Sequence, residues 1–68
     1  MTAFEIILDI EEMDRGESRF FPEGRFQIHL SSRGFYHFSG CDGEFHRSAQ
    51  ARSLYRYINK AINSKKCN

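Results

Sequence analysis

Cysteine and proline are scarce, long apolar runs are missing, and each shortage removes a class of protein. No apolar run exceeds the three residues Ile6–Leu8. A membrane-spanning helix needs about 20, so no span is expected. Two cysteines, Cys41 and Cys67, do not make a disulfide framework, and no hydrophobic leader precedes them. A bridge between them is not expected over such a long separation, and a reducing, cytoplasmic setting follows. Cys67, in Lys65-Lys66-Cys67-Asn68, is read as part of a frayed tail over 64–68. With 68 residues and 8.0 kDa there is room for one small domain. Nucleotide-binding α/β folds and barrels are too large to fit.

No glycine-rich phosphate loop, paired-histidine zinc motif or calcium loop is present. His29, His37 and His46 fall on successive strand candidates, but neither cysteine has a second one two to four residues away to complete a zinc signature. Neither a metal nor any other cofactor is therefore expected. The carboxylates Glu11, Glu12 and Asp14 form a solvated run rather than an acid–base pair. One sheet under one helix leaves little room for a pocket that excludes water, so an enzyme is not expected.

What the chain does have is aromatic side chains and a divided charge. Seven Phe and three Tyr within 40% apolar residues suffice for one thin core. The formal net charge is +1, but residues 1–23 carry seven carboxylates against Arg15 and Arg19, a net of −5. From Gly24 onward eight Lys and Arg face only Asp42 and Glu44, a net of +6. Such asymmetry points either to a charged partner or to the acidic segment folding over the basic one.

Along the chain, Phe4, Ile6, Leu8 and Ile10 alternate with Glu5, Ile7, Asp9 and Glu11, the period of a half-buried strand. A strand is expected over 1–12, with Ile7 on its outer face, and a loop over 13–24 ending at Pro22. Phe26, Ile28 and Leu30 alternate with Arg25, Gln27 and His29, and open a β-meander over 25–47. Its first turn is Ser31–Gly34, with Gly34 available for a positive φ. Its second turn is Gly40–Gly43. A helix is expected over 48–63, capped by Ser48, with Ala51, Leu54, Tyr55, Ile58, Ala61 and Ile62 on one stripe. Arg52, Arg56 and Lys60 fall opposite. The expected fold is α+β: an antiparallel sheet of three or four strands with one C-terminal helix packed on one face. Its core is Phe4, Ile6, Leu8, Phe26, Ile28, Leu30, Phe38, Leu54, Ile58 and Ile62.

Two contact surfaces follow. The hairpin presents Arg25, Gln27, His29, Arg33, Phe35 and His37, a mixture of phosphate contacts, base-edge donors and stacking surfaces. The helix presents a basic line comprising Arg47, Arg52, Arg56 and Lys60, which fits an acidic patch. The acidic segment Glu11–Glu17 could instead mimic nucleic acid against a basic groove.

From Gly24 to Ile62 the chain resembles the small N-terminal DNA-binding domain of tyrosine integrases. The matching elements are Gly24-Arg25-Phe26-Gln27-Ile28, Gly34-Phe35-Tyr36, and Glu44-Phe45 followed by a helix bearing Ala51 and Tyr55. That likeness implies a three-stranded sheet backed by one helix and contact with DNA. In length, build and lack of catalytic equipment the chain also resembles small phage-encoded inhibitors such as anti-CRISPR proteins. That second likeness implies a non-enzymatic protein, monomer or homodimer, occluding a surface on a larger protein or ribonucleoprotein complex. A DNA- or RNA-binding module using the hairpin face is the alternative.

Overall fold

The computed structural model describes residues 1–64. Its elements are α1 (Ala3–Ile10), β1 (Ser18–Phe21), β2 (Phe26–Leu30), β3 (Tyr36–Gly40), β4 (Phe45–Ser48), a 3-10 turn (Ala51–Leu54) and α2 (Tyr55–Asn63). The four strands form one antiparallel meander in the order β1-β2-β3-β4. The expected α+β architecture, with a C-terminal helix on a four-stranded sheet, is the one observed.

The first element differs from the strand its alternation predicts. Ala3, Ile6, Ile7 and Ile10 form a helical stripe at i, i+3, i+4 and i+7, and all four are buried. Thr2 begins the helix: its hydroxyl accepts from the Glu5 N–H at 3.2 Å while the Glu5 carboxylate accepts from the Thr2 N–H at 2.8 Å. This reciprocal capping box satisfies two backbone donors that a helix leaves orphaned. Phe4 and Leu8 are consequently exposed rather than core, and Ile7 is buried rather than presented.

The strand beside β2 is β1, inside the segment expected as a loop. Arg19 lies opposite Ile28 and Phe21 opposite Phe26. Arg19 ties this edge to α1. Its guanidinium donates to the Asp9 carboxylate at 2.8 Å, to the Asp9 carbonyl at 3.2 Å and to the Glu17 carboxylate at 2.5 Å. The bond to Glu17, and then that to Asp9, raises the Arg19 pKa. Pro22 follows β1 directly, where no ladder donor is lost. In the next turn a Cβ on Gly24 would sit 2.6 Å from the Phe26 ring, so only glycine fits.

The meander over 25–47 forms as expected, with Gly34 at φ +88° and Gly43 at φ +86° in its two turns. Ser48 ends β4 instead of capping a helix; its Oγ accepts from the Gln50 N–H at 3.1 Å. Helical structure therefore starts at Ala51, three residues later than expected, as a 3-10 turn that leads into α2. Residue 64 is extended; the rest of the expected tail, Cys67 included, lies outside the described residues. Cys41, for which no bridge is expected, is disulfide-bonded.

Both helices cover the same face of the sheet. Ile6, Ile7 and Ile10 of α1 and Leu54 and Ile58 meet Phe26, Ile28, Leu30 and Phe38 there, and Ile62 packs at the margin, half-buried. The Phe26 ring stacks on Phe21 at 5.3 Å and on Phe38 at 5.0 Å between centroids. No buried side-chain nitrogen or oxygen lacks a partner among the described residues.

Two measurements test these assignments. Ile58→Ala should cost about 2–5 kcal/mol in chemical denaturation, a large share of the stability of a domain this small. Thr2→Ala should cost about 1 kcal/mol. The Glu5 carboxyl is held below its ordinary 4.5 by the Thr2 N–H first and the Thr2 hydroxyl second. A depressed folded-state value stabilises above the unfolded value and is lost as pH falls through the folded one. Thermal melts should therefore fall off below pH 4.5, and Glu5→Gln should flatten that acid limb. A strand over 3–10 would leave the limb unchanged.

Candidate binding face

Because side chains alternate along strands, burying one face fixes what the other presents. The outward positions form two cross-strand rows. Ser18, His29, His37 and Arg47 make one; Phe20, Gln27, Ser39 and Phe45 make the other. None of these eight positions is a carboxylate. Phe20 and Phe45 stand on the two edge strands, 63% and 59% exposed. Three strand spacings, about 14 Å, separate them.

Three rings form a line across β2, β3 and β4, from His29 to Phe45. His29 and His37 are 6.1 Å apart between centroids, and His37 is 5.8 Å from Phe45. The Ser18 hydroxyl lies 2.7 Å from His29 Nδ1 and fixes that ring's orientation. The Arg47 guanidinium carbon sits 5.4 Å from the Phe35 ring centroid, a cation–π contact that holds a positive charge beside an exposed aromatic. At the opposite end Phe20, Pro22, Arg25, Gln27, Ser39 and Gly40 line a shallow open groove. Arg25 occupies the left-handed region at φ 53° in the β1–β2 turn, and Arg33 lies in the exposed β2–β3 turn.

The expected site residues therefore divide. Arg25, Gln27, His29, Arg33, Phe35 and His37 belong to the sheet face or the turns at its ends, and Arg47 joins them. Arg52, Arg56 and Lys60 belong to the helix layer on the other side, where Arg52 reaches Glu11 at 3.6 Å. The basic line Arg47–Arg52–Arg56–Lys60 is broken because Arg47 sits on β4 and not on the helix. Phe20 and Phe45 join the face without having been expected there. Their signal was the alternation Phe20-Phe21 and Phe45-His46, readable only once the pairing of β1 and β4 is known.

The three histidines do not converge. His46 faces the helices: its ring stacks on Tyr57 with centroids 3.4 Å apart and planes 11° from parallel, and its Nε2 lies 2.5 Å from a Glu44 carboxylate oxygen. Among the described residues no group of three or more His, Cys, Asp or Glu could hold a metal ion. No helix in them is long and apolar enough to cross a membrane.

What the exposed face can do follows from its chemistry. Rings and guanidinium groups alternate with the amide of Gln27 and the hydroxyl of Ser39, which suits flat aromatic and anionic groups. His46, facing the other way, is a seam between β4 and α2. His46→Ala should therefore lower thermal stability by about 0.5–1.5 kcal/mol for the lost stack. The same substitution should leave ligand binding at the sheet face unchanged, and a parallel loss of binding would contradict this assignment. Compared with protein-family models, curated proteins and solved structures, the chain matches none.

Proposed function

We propose that this chain is a non-enzymatic binding module whose open sheet face lies on a single strand of RNA or DNA. The observation that carries the reading is the outward composition of the sheet. Phe20, His29, His37 and Phe45 offer ring surfaces, Arg47 offers charge, Arg25 and Arg33 add charge at the ends, and no outward strand position carries a carboxylate. Splayed bases stack on such rings, and guanidinium groups neutralise the phosphates between them. Glu5 and Asp9 lie on α1 and Glu11 pairs with Arg52 in the helix layer, across the sheet from this face, so the overall charge of +1 does not oppose a polyanion here. A duplex fits less well, since Phe20 and Phe45 stand at the outer edges of a broad sheet rather than at the tip of a narrow ribbon.

A second reading makes the same face occlude a larger protein or ribonucleoprotein complex, in the manner of the anti-CRISPR proteins. It is favoured by the groove between Phe20, Pro22 and Gly40, which accepts an apolar side chain, and by exposed Phe and Arg, residues that anchor interfaces.

Fluorescence anisotropy with a labelled oligothymidylate and its RNA counterpart separates the two. Binding should weaken with salt at a log–log slope of about −2, three arginines at about 0.7 each. Phe20→Ala and Phe45→Ala should each reduce affinity about 5–150-fold, the equivalent of about 1–3 kcal/mol of stacking. Stability should shift by less than about 0.5 kcal/mol, because both rings are exposed. Salt-independent binding, or full affinity in both variants, refutes the nucleic-acid reading. Retention of one defined complex from a nuclease-treated lysate, lost in the Phe20→Ala/Phe45→Ala double variant, would support occlusion.

A further inference from the structure

The outer surface of the helix layer carries a second pattern, independent of the sheet face. Phe4 and Leu8 are 60% and 47% exposed. With Glu11 they follow i, i+4, i+7, which puts all three on one line of α1. Glu11 reaches Arg52 at 3.6 Å, at the start of the C-terminal helical segment, so this line faces α2. The other flank of α1 is occupied by Asp9, bound to Arg19 on β1. On α2, Tyr57 marks the flank toward β4 by stacking on His46, which leaves Tyr55 and Ile62, at i and i+7, on the flank toward α1. The helices run antiparallel. The Met1 ammonium lies 3.4 Å from Glu23, and the Ala61 backbone packs against Gly24, so the start of α1 and the end of α2 meet at the β1–β2 turn. Phe4, Leu8, Tyr55 and the half-buried Ile62 thus form an apolar seam along the groove between the helices.

Charge flanks this seam in an ordered way. The α1 side carries Glu5 on the helix and Glu12 in the turn that follows it, whereas the outermost line of α2 carries Arg56 and Lys60, at i and i+4, all exposed. We propose that the helix layer is a homodimer interface, occupied by a second copy of this chain related by a two-fold axis running along the seam. That axis lays α1 of each copy over α2 of the other, so seam meets seam, and the acidic side of each copy, Glu5 and Glu12, lies over the basic side of the other, Arg56 and Lys60. An axis across the seam would set acid against acid and base against base. Self-complementarity under one two-fold operation is the property an isologous contact requires. It also covers exposed apolar surface in a domain whose size limits its own core. The two sheet faces then point outward on opposite sides of the dimer, both accessible.

Sedimentation equilibrium across a concentration series tests the arrangement. The mass should rise from 8.0 kDa toward twice that value. Leu8→Lys, at an exposed position, should hold the protein at the monomer mass. Glu12→Arg and Arg56→Glu should each weaken self-association at least about tenfold through like-charge contacts, whereas an equimolar mixture of the two variants should recover it as a heterodimer. Should Leu8→Lys fail to fold by circular dichroism, the mixing experiment decides alone. The Phe20→Ala/Phe45→Ala variant should dimerise normally while losing oligonucleotide, which keeps this interface distinct from the ligand face. A monomer at about millimolar concentration, a dimer indifferent to the charge reversals, or a mixture that fails to associate would overturn the assignment.

Discussion

The structure depends on the burial of one face, and only one, of a four-stranded sheet. Phe26 is the centre of that burial, stacked between Phe21 and Phe38 and roofed by the isoleucines of α1 and α2. With 68 residues the chain has helix enough for a single covering layer. Strand alternation then forces every second side chain outward, so the uncovered face is a direct consequence of the covered one. Its residues are free to serve binding because none of them is needed for the core.

Folding also sorts the charge. The acidic segment meets the basic one where Glu11 reaches Arg52 at 3.6 Å. Other carboxylates of that segment are engaged locally, in the Thr2–Glu5 capping box and in the Arg19 bonds to Asp9 and Glu17. From Gly24 onward the described basic residues divide between the end turns of the sheet, the outer sheet face and the C-terminal helical segment. A near-neutral protein thus acquires one surface with aromatic and cationic character and another on which acidic and basic ridges run side by side. The first is the face proposed for nucleic acid; the second is the one proposed for self-association.

How much of this was legible in the chain varies by element, for physical reasons. The hairpin was legible because Phe26, Ile28 and Leu30 alternate without a break and Gly34 fills the position needing positive φ. Half of the sheet face was legible with it, from Arg25 to His37. Phe20 and Phe45 were not, since a four-residue edge strand leaves too few positions for a period to emerge. The helical capping signal Thr2-x-x-Glu5 was present, but the alternating Phe4, Ile6, Leu8 and Ile10 obscured it.

The sequence by itself determined the α+β class, the central hairpin, the stripe that packs the C-terminal helix apart from the exposed Tyr55, and the division of charge between the two parts of the chain. Those features are local, set by which neighbours along the chain can share one face. Only the tertiary structure decided that the first segment is a helix. Residues 3–10 fit both periods, and the outcome turned on β1 pairing with β2 and leaving the isoleucines a helix-shaped place above the sheet. It alone also decided that Arg47 belongs with His37 while Arg52, five residues on, belongs to the opposite surface. Pairing register and layer order are properties of contacts between distant residues, which no stretch of the chain encodes alone.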